Sequence, residues 1–295
     1  MTGTLRVLKG HGTENDFVVI PDLDAVVSLS PSLVQALCDR HGGVGGDGVL
    51  RVVRTAQATE PDIAAQAVDA EFFMDYHNAD GSISEMCGNG VRVFARYLQR
   101  AGLAELPEHG TGPAADGYAI ATRGGIKRVH VKGRDISVDL GPSRLRSESP
   151  VVTMDDPPWG RTDRPGTAVD MPNPHVVVEL DDLSQLAALD LATPPRVTPP
   201  LPDGQNVEFV VRTGPSSITM RVHERGVGET RSCGTGICAA VVAVSGGAQT
   251  GSWTVDVPGG QCSVSWTEAG SLVLTGPAVL VAEIGVTEEW LAEHR

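Results

Sequence analysis

The chain has 295 residues, with 23 Lys and Arg against 37 Asp and Glu, a formal charge of −14. That balance argues against a nucleic-acid partner or an anionic membrane, both of which need basic patches. Hydrophobic residues at 41% exclude a disordered chain, and the longest apolar run, Ile237–Val244, is far short of the about 20 residues that span a bilayer.

Taken in order, short β-branched runs bounded by Gly, Pro or Asp read as strands. In the first half these are Leu5–Leu8, Phe17–Ile20, Gly48–Val53, Phe72–Tyr76, Tyr118–Thr122, Val129–Val131 and Ser137–Leu140. In the second they are His175–Leu180, Val207–Val211, Ile218–Val222, Ser252–Val257, Ser263–Trp266, Leu272–Thr275 and Val279–Glu283. Helices fit Ser30–Cys38, where Ser30 caps and Pro31 opens the first turn, and Gly88–Ala101, Leu183–Leu189 and Thr235–Ser245. Residues 22–25, 55–62, 107–117, 141–166 and 194–204 read as loops. The start, MTGTLRVLKGHG, lacks the apolar core of a signal peptide, so a cytoplasmic protein is expected.

The five cysteines (Cys38, Cys87, Cys233, Cys238, Cys262) form no CxxC and no Cys/His cluster, so neither a disulfide scaffold nor a metal is expected. Two of them stand in an internal repeat. MCGNG at 86–90 recurs as SCGTG at 232–236, about half the chain later, each before a helix-like run. Nine residues before each cysteine lies a polar cluster, beginning at Asn78 in one copy and at Glu224 and Arg225 in the other. Asn15-Asp-Phe-Val-Val and Asn173-Pro-His-Val-Val repeat the theme upstream. Two similar halves suggest pseudo-twofold domains with a cleft between them.

A cysteine at a helix start faces unpaired N–H groups and the positive end of the dipole, an environment that lowers its pKa toward neutrality. The glycines after it let a carboxylate reach the backbone. Two facing sites of this kind suit cofactor-free inversion at an amino-acid α-carbon: one thiolate removes the proton and the opposite thiol returns one. Pyridoxal phosphate is not expected, because none of the three lysines (Lys9, Lys127, Lys132) adjoins a phosphate-binding glycine loop. GGVGGDG at 42–48 follows a helix and precedes a strand, the wrong order for a nucleotide fingerprint, and reads as a backbone turn.

The ordered motifs GHGTENDF (10–17), NADGS (78–82), MCGNGVR (86–92), NPH (173–175), GQNVEF (204–209) and HERGVGETRSCGTG (223–236) resemble those of the diaminopimelate epimerase family along essentially the whole chain. The resemblance implies a PLP-independent isomerase that interconverts LL- and meso-diaminopimelate for lysine and peptidoglycan precursors. It implies an α/β (α+β) fold of two pseudo-symmetric domains, residues 1–133 with 277–295 and residues 134–276. Each would be a mainly antiparallel sheet wrapped around a central helix, with the site in the interdomain cleft. Cys87 and Cys233 would be the acid/base pair, tuned by His175 and Glu224. Asn15, Asn78, Gly88, Asn89, Asn173, Asn206, Glu224, Arg225, Gly234 and Thr235 would hold the substrate. Gly48, Pro172 and His77 depart from residues common in the family. The expected partner is a small molecule, and a homodimer is left open.

The residues also admit plainer readings. A lone cysteine is usually a buried small hydrophobe, His175 could be a packing histidine, and Asn78 a turn residue. Arg92, Arg96 and Arg100 form an i, i+4, i+8 stripe that reads as solvent-facing or salt-bridged. The rival functions are a proline-type racemase or another amino-acid epimerase of the same fold, and a thiol-based redox or amino-acid-binding protein.

Overall fold

The computed structural model describes residues 4–108, 117–154 and 160–294. It divides into two compact units, Met1–Val138 with Pro277–Arg295, and Asp139–Gly276. The first cut falls inside a strand rather than at the Gly133 turn that precedes it.

In the first unit β1 (Leu5–Gly12) and β2 (Asn15–Pro21) make a hairpin. Its two-residue turn puts Thr13 and Glu14 at φ 50° and 60°, left-handed conformations that suit a hairpin twist but that these side chains seldom adopt. Helix α1 (Pro31–Cys38) starts on Ser30, whose hydroxyl accepts from the Leu33 N–H at 3.1 Å. It leads to β3 (Gly48–Arg54), parallel to β2, and β4 (Phe72–Asn78) turns back antiparallel to β3. Two 3-10 turns (Thr55–Gln57 and Ala65–Val68) and the short α2 (Pro61–Ala64) lie between them; the first turn and the start of α2 fall where a plain loop is expected. Helix α3 (Gly88–Arg100) follows, then β5 (Tyr118–Ala121), β6 (Lys127–Lys132) and β7 (Asp135–Gly141), an antiparallel run that joins β4 in parallel.

The second unit begins with β8 (Arg144–Leu145), β9 (Val151–Met154), β10 (Thr162–Pro165) and β11 (Thr167–Asp170). Next come β12 (Pro174–Glu179), α4 (Leu183–Ala188), β13 (Arg196–Thr198), β14 (Asn206–Gly214), β15 (Ser217–Glu224) and β16 (Gly228–Thr230). Helix α5 (Gly234–Val244) precedes β17 (Ser252–Val257), β18 (Gly260–Trp266) and β19 (Leu272–Pro277). Finally β20 (Val279–Val286) pairs antiparallel with β1, and α6 (Glu288–His294) packs Leu291 into the first unit's core beside Leu33 and Leu37.

The halves share one connection pattern. A hairpin (β1–β2, β11–β12) crosses through a helix to a parallel strand (β3, β14), which pairs antiparallel with the next (β4, β15). A Cys-led helix (α3, α5) then leads to a strand parallel to the last (β5, β17) and two antiparallel ones. Both Cys-led helices are central. Val91, Phe94 and Leu98 of α3 are fully buried, and α5 is apolar around its whole circumference, as a helix enclosed by strands must be.

The stretches read as loops at 141–166 and 194–204 contain β8, β9, β10 and β13. These strands run only two to four residues and lie among prolines, which hides their period from a pattern reading. Residues 109–116 and 155–159 of the expected loops lie outside the described residues.

Under β3 and β4 sits a charged cluster. Asp75 accepts from Arg123 at 2.7 Å, lies 3.4 Å from Arg51, and has His77 Nε2 at 2.9 Å. Burial alone would raise its carboxyl, but His77 and Arg123 outweigh burial and bring it down from 3.8 to about 2. A depressed carboxylate stabilises the fold above its unfolded value and loses that contribution as pH falls through the folded one. Wild-type protein is therefore expected to lose about 2 kcal/mol of this stabilisation between pH 4 and 2. The Asp75→Asn variant should lack that component of its acid-unfolding curve, as followed by circular dichroism.

Candidate active site

Each unit holds a cysteine cluster built by the same local rule. Cys87 is the N-cap of α3 and Cys233 the N-cap of α5; both hold extended backbone, and each Sγ accepts the N–H of the third helical residue, Gly90 or Gly236, at 3.4 Å. The first-turn residues Gly88, Asn89, Gly234 and Thr235 are buried. A cap normally belongs to Ser, Thr, Asp or Asn. Sulfur in that place makes a long, weak bond and sets a thiol at the head of each helix.

In the first unit Asn15 Oδ1 lies 3.6 Å from Cys87 Sγ and accepts from Asn89 Nδ2 at 3.2 Å. The Asn15 amide donates in turn to Asp47 at 2.7 Å, which fixes which end of the amide meets the thiol. Asp47 belongs to the GGDG turn and sits beside Asp16, with Arg40 bridging both carboxylates. Burial, then the neighbouring Asp16 charge, pushes Asp47 up. Asp16 is held well below the usual range, because Arg40 and Lys9 outweigh its own burial.

Arg92 does not join a solvent-facing stripe. It is fully buried, donates to Asn89 Oδ1 at 2.5 Å, to Thr13 Oγ1 at 3.2 Å and to the Pro277 carbonyl at 3.0 Å, and so ties α3 to the left-handed turn. The stripe fails because α3 is covered at its start and open only at its far end, where Arg100 pairs with Glu283. Asn78 is engaged in its own turn, donating to Ser82 Oγ at 3.0 Å. Gly48 leaves no room for a side chain: a Cβ there would stand 2.5 Å from the His77 carbonyl and 2.7 Å from the Tyr76 ring. Pro172 lies in the turn closed by Met171 N–H on the Asn173 carbonyl at 3.1 Å.

In the second unit His175 and Asn206 stand opposite each other on the parallel strands β12 and β14. Asn206 Nδ2 is 4.0 Å from Cys233 Sγ, and its Oδ1 accepts the Arg225 N–H at 2.9 Å. Thr235 Oγ1 is 3.5 Å from the same sulfur. Glu224 ends β15, accepts from the Thr230 hydroxyl and hydrogen-bonds Cys233. The Arg225 guanidinium is exposed, lies over Gly204 and donates to the Asp203 carbonyl. His175 is fully buried, with Nδ1 2.7 Å from Glu208 and Nε2 3.1 Å from Asn173 Oδ1. Asn173, His175, Asn206, Glu224, Thr235 and Cys233 thus form one connected group.

The expected lowering of the thiol pKa does not hold at Cys233. Burial first, then the carboxylates of Glu224 and Glu208, pushes this thiol well above its ordinary value, against the bonds from Thr235 and Gly236. Burial likewise raises Glu224, against the Thr230 bond. Cys233 therefore rests as the protonated thiol. Residue-type reasoning passed over Asp47, Arg92 and Glu208. The available signal was a charged residue inside an apolar or glycine frame, as in NVEFVV and GGDGV.

The fold of two repeated units, each built around a central helix, is shared with solved structures of other proteins. Structures of this shape include a probable proline racemase from Agrobacterium radiobacter with bound carbonate (TM-score 0.63, 18% identity, 96% of this chain and 93% of that one). A hydroxyproline epimerase from Agrobacterium vitis with bound trans-4-hydroxy-L-proline gives TM-score 0.64 at 15% identity, over 98% and 94%. At such identities the likeness shows the fold. The sequence goes further: the diaminopimelate epimerase family model matches residues 7–146 and 167–281. The diaminopimelate epimerase of Streptomyces coelicolor is 48% identical over 302 residues, covering 99% of this chain and 98% of the relative. That of Thermobifida fusca is 47% identical, over 95% and 97%. The chain belongs to the diaminopimelate epimerase family and is an isomerase.

Four of the five cysteines are buried and Cys87 alone is half-buried. Burial also pushes Cys38 up to about 12. Iodoacetamide near neutral pH is expected to modify Cys87 before any other cysteine, as read by peptide mass spectrometry; earlier labelling of Cys38 would contradict this.

Proposed function

We propose that this chain epimerises diaminopimelate, interconverting the LL and meso forms by proton transfer through Cys87 and Cys233, in the route to lysine and peptidoglycan precursors. One observation carries the reading beyond family membership: in both units of the repeat, the residue that caps the buried central helix is a thiol. One cysteine, as thiolate, removes the α-proton. The other, as thiol, gives its proton to the opposite face of the carbon, so protons balance and no redox change occurs. The carboxylate gains negative charge as the proton leaves. First-turn N–H groups at Gly88 and Asn89, and at Gly234 and Thr235, are the donors suited to receive it.

Asn15, Asn78, Asn173 and Asn206 supply neutral amides for a doubly zwitterionic substrate, Glu224 a carboxylate and Arg225 a guanidinium for the distal carboxylate. His175 and Glu224 tune the thiols. The net acidity and reduced cysteines suit the cytoplasm; no helix among the described residues is long and apolar enough to cross a membrane. The outer edge of β20, with Val279 and Val281 exposed, supports a homodimer, which sedimentation velocity would register as twice the chain mass.

Proton NMR of reduced enzyme with LL-diaminopimelate in D₂O should show loss of one α-proton signal and appearance of the meso isomer. Cys87→Ser and Cys233→Ser should each lower turnover at least about a hundredfold with the fold retained. Turnover of proline with no exchange into diaminopimelate would replace this reading with a proline-type one.

A further inference from the structure

Glu208 has no assigned part in the reaction, yet the Cys233 cluster is arranged around it. It lies on β14 two residues after Asn206, so the two side chains share one strand face, while Phe209 and Val207 point into the unit's apolar core. Its side chain is entirely buried, as is that of His175, whose Nδ1 lies 2.7 Å from Glu208 Oε1. The other oxygen, Oε2, is buried with no hydrogen-bond partner. A buried carboxylate left half-satisfied is costly and persists where something besides stability retains it.

The carboxylate also abuts the head of α5. A Cβ added at Gly236 would stand 2.6 Å from Glu208 Oε1 and 3.3 Å from Cys233 Sγ. The second glycine of the Cys-Gly-x-Gly motif thus admits Glu208 to the first turn, next to the N–H that donates to the sulfur. The helix dipole favours a negative charge at this position.

We propose that Glu208 is a positioning residue of the epimerisation site, fixing the His175 ring through Nδ1 and holding a permanent negative charge beneath the Cys233 cap. The proposal rests on the epimerase reading above. With an ionised Glu208, Nδ1 must be the donor, and Nε2 is presented to Asn173. The groups facing this carboxylate are His175 of β12, Glu224 at the end of β15 and Cys233 at the head of α5. His223, also on β15, turns instead to the Leu191 carbonyl at 2.9 Å. Of the remaining strands under α5, β11 brings Asp170, taken by Arg144 and Arg146, and β18 brings Cys262. The Glu208 charge raises both Glu224 and Cys233, so it keeps Cys233 supplied with the proton that it donates.

Two substitutions separate orientation from charge. Glu208→Gln keeps an oxygen for His175 and removes the charge; Glu208→Asp keeps the charge and withdraws it by one carbon. In E208Q the pH midpoint for alkylation of Cys233, read by peptide mass spectrometry without substrate, should fall by about one unit. Its kcat should drop about ten- to a hundredfold while KM moves less than about threefold. E208D should leave the alkylation midpoint near that of wild type and still lose kcat about tenfold, because the ring is no longer held. An unmoved Cys233 midpoint in folded E208Q overturns the charge role, and wild-type kcat in E208D overturns the positioning role. If E208Q does not fold, E208D decides alone. Should wild-type enzyme fail to turn over diaminopimelate, the epimerase reading fails, while the alkylation midpoints still test Glu208.

Discussion

The surroundings of Cys87 and of Cys233 both depend on a helix cap made by sulfur. A serine or aspartate in the same place would hold one of the first-turn N–H groups with a shorter, stronger bond. Sulfur accepts at 3.4 Å, so the helix is capped enough to start and the N–H groups keep some of their reach. The glycines three residues on follow from this choice. A side chain at Gly236 would strike Glu208, and one at Gly90 would crowd Leu50 and Cys87.

Around that shared cap the two halves diverge. Cys87 faces a neutral acceptor, Asn15, oriented from behind by Asp47, and it stays half-buried. Cys233 is buried among Glu224, Glu208 and Thr235 and rests protonated. The difference in the surroundings of the two cysteines comes from the residues packed around each cap rather than from the motif itself.

Much of this was legible in the sequence. The repeat, the helix start at 88, that of α5 to within one residue (235 for 234), and most long strands follow from period and punctuation, and the ordered motifs identify the family. The strands at 144–145, 151–154, 162–165 and 196–198 were hidden, since two to four residues carry too little alternation to read. Arg92 was misread because helix periodicity gives a stripe but does not say what covers it; Thr13 and the Pro277 carbonyl come from far along the chain. The charged residue in an apolar or glycine frame marks Glu208 and Asp47, but not their partners, since each acts through a neighbour 30 or more residues away. The direction of the Cys233 shift needed the packing, because dipole and burial oppose one another and only the degree of enclosure decides.

The chain path also sets an order of assembly during synthesis. The unit at 139–276 is continuous, so its strands and α5 are all available once that segment has left the ribosome. The first unit is interrupted. Its strand β1 receives its second neighbour, β20, and its core receives Leu291, only from the segment after Pro277. Arg92, too, waits for the Pro277 carbonyl. The half of the enzyme translated first is thus the half completed last, and until then β1 presents an open edge that a nascent chain must keep from pairing elsewhere.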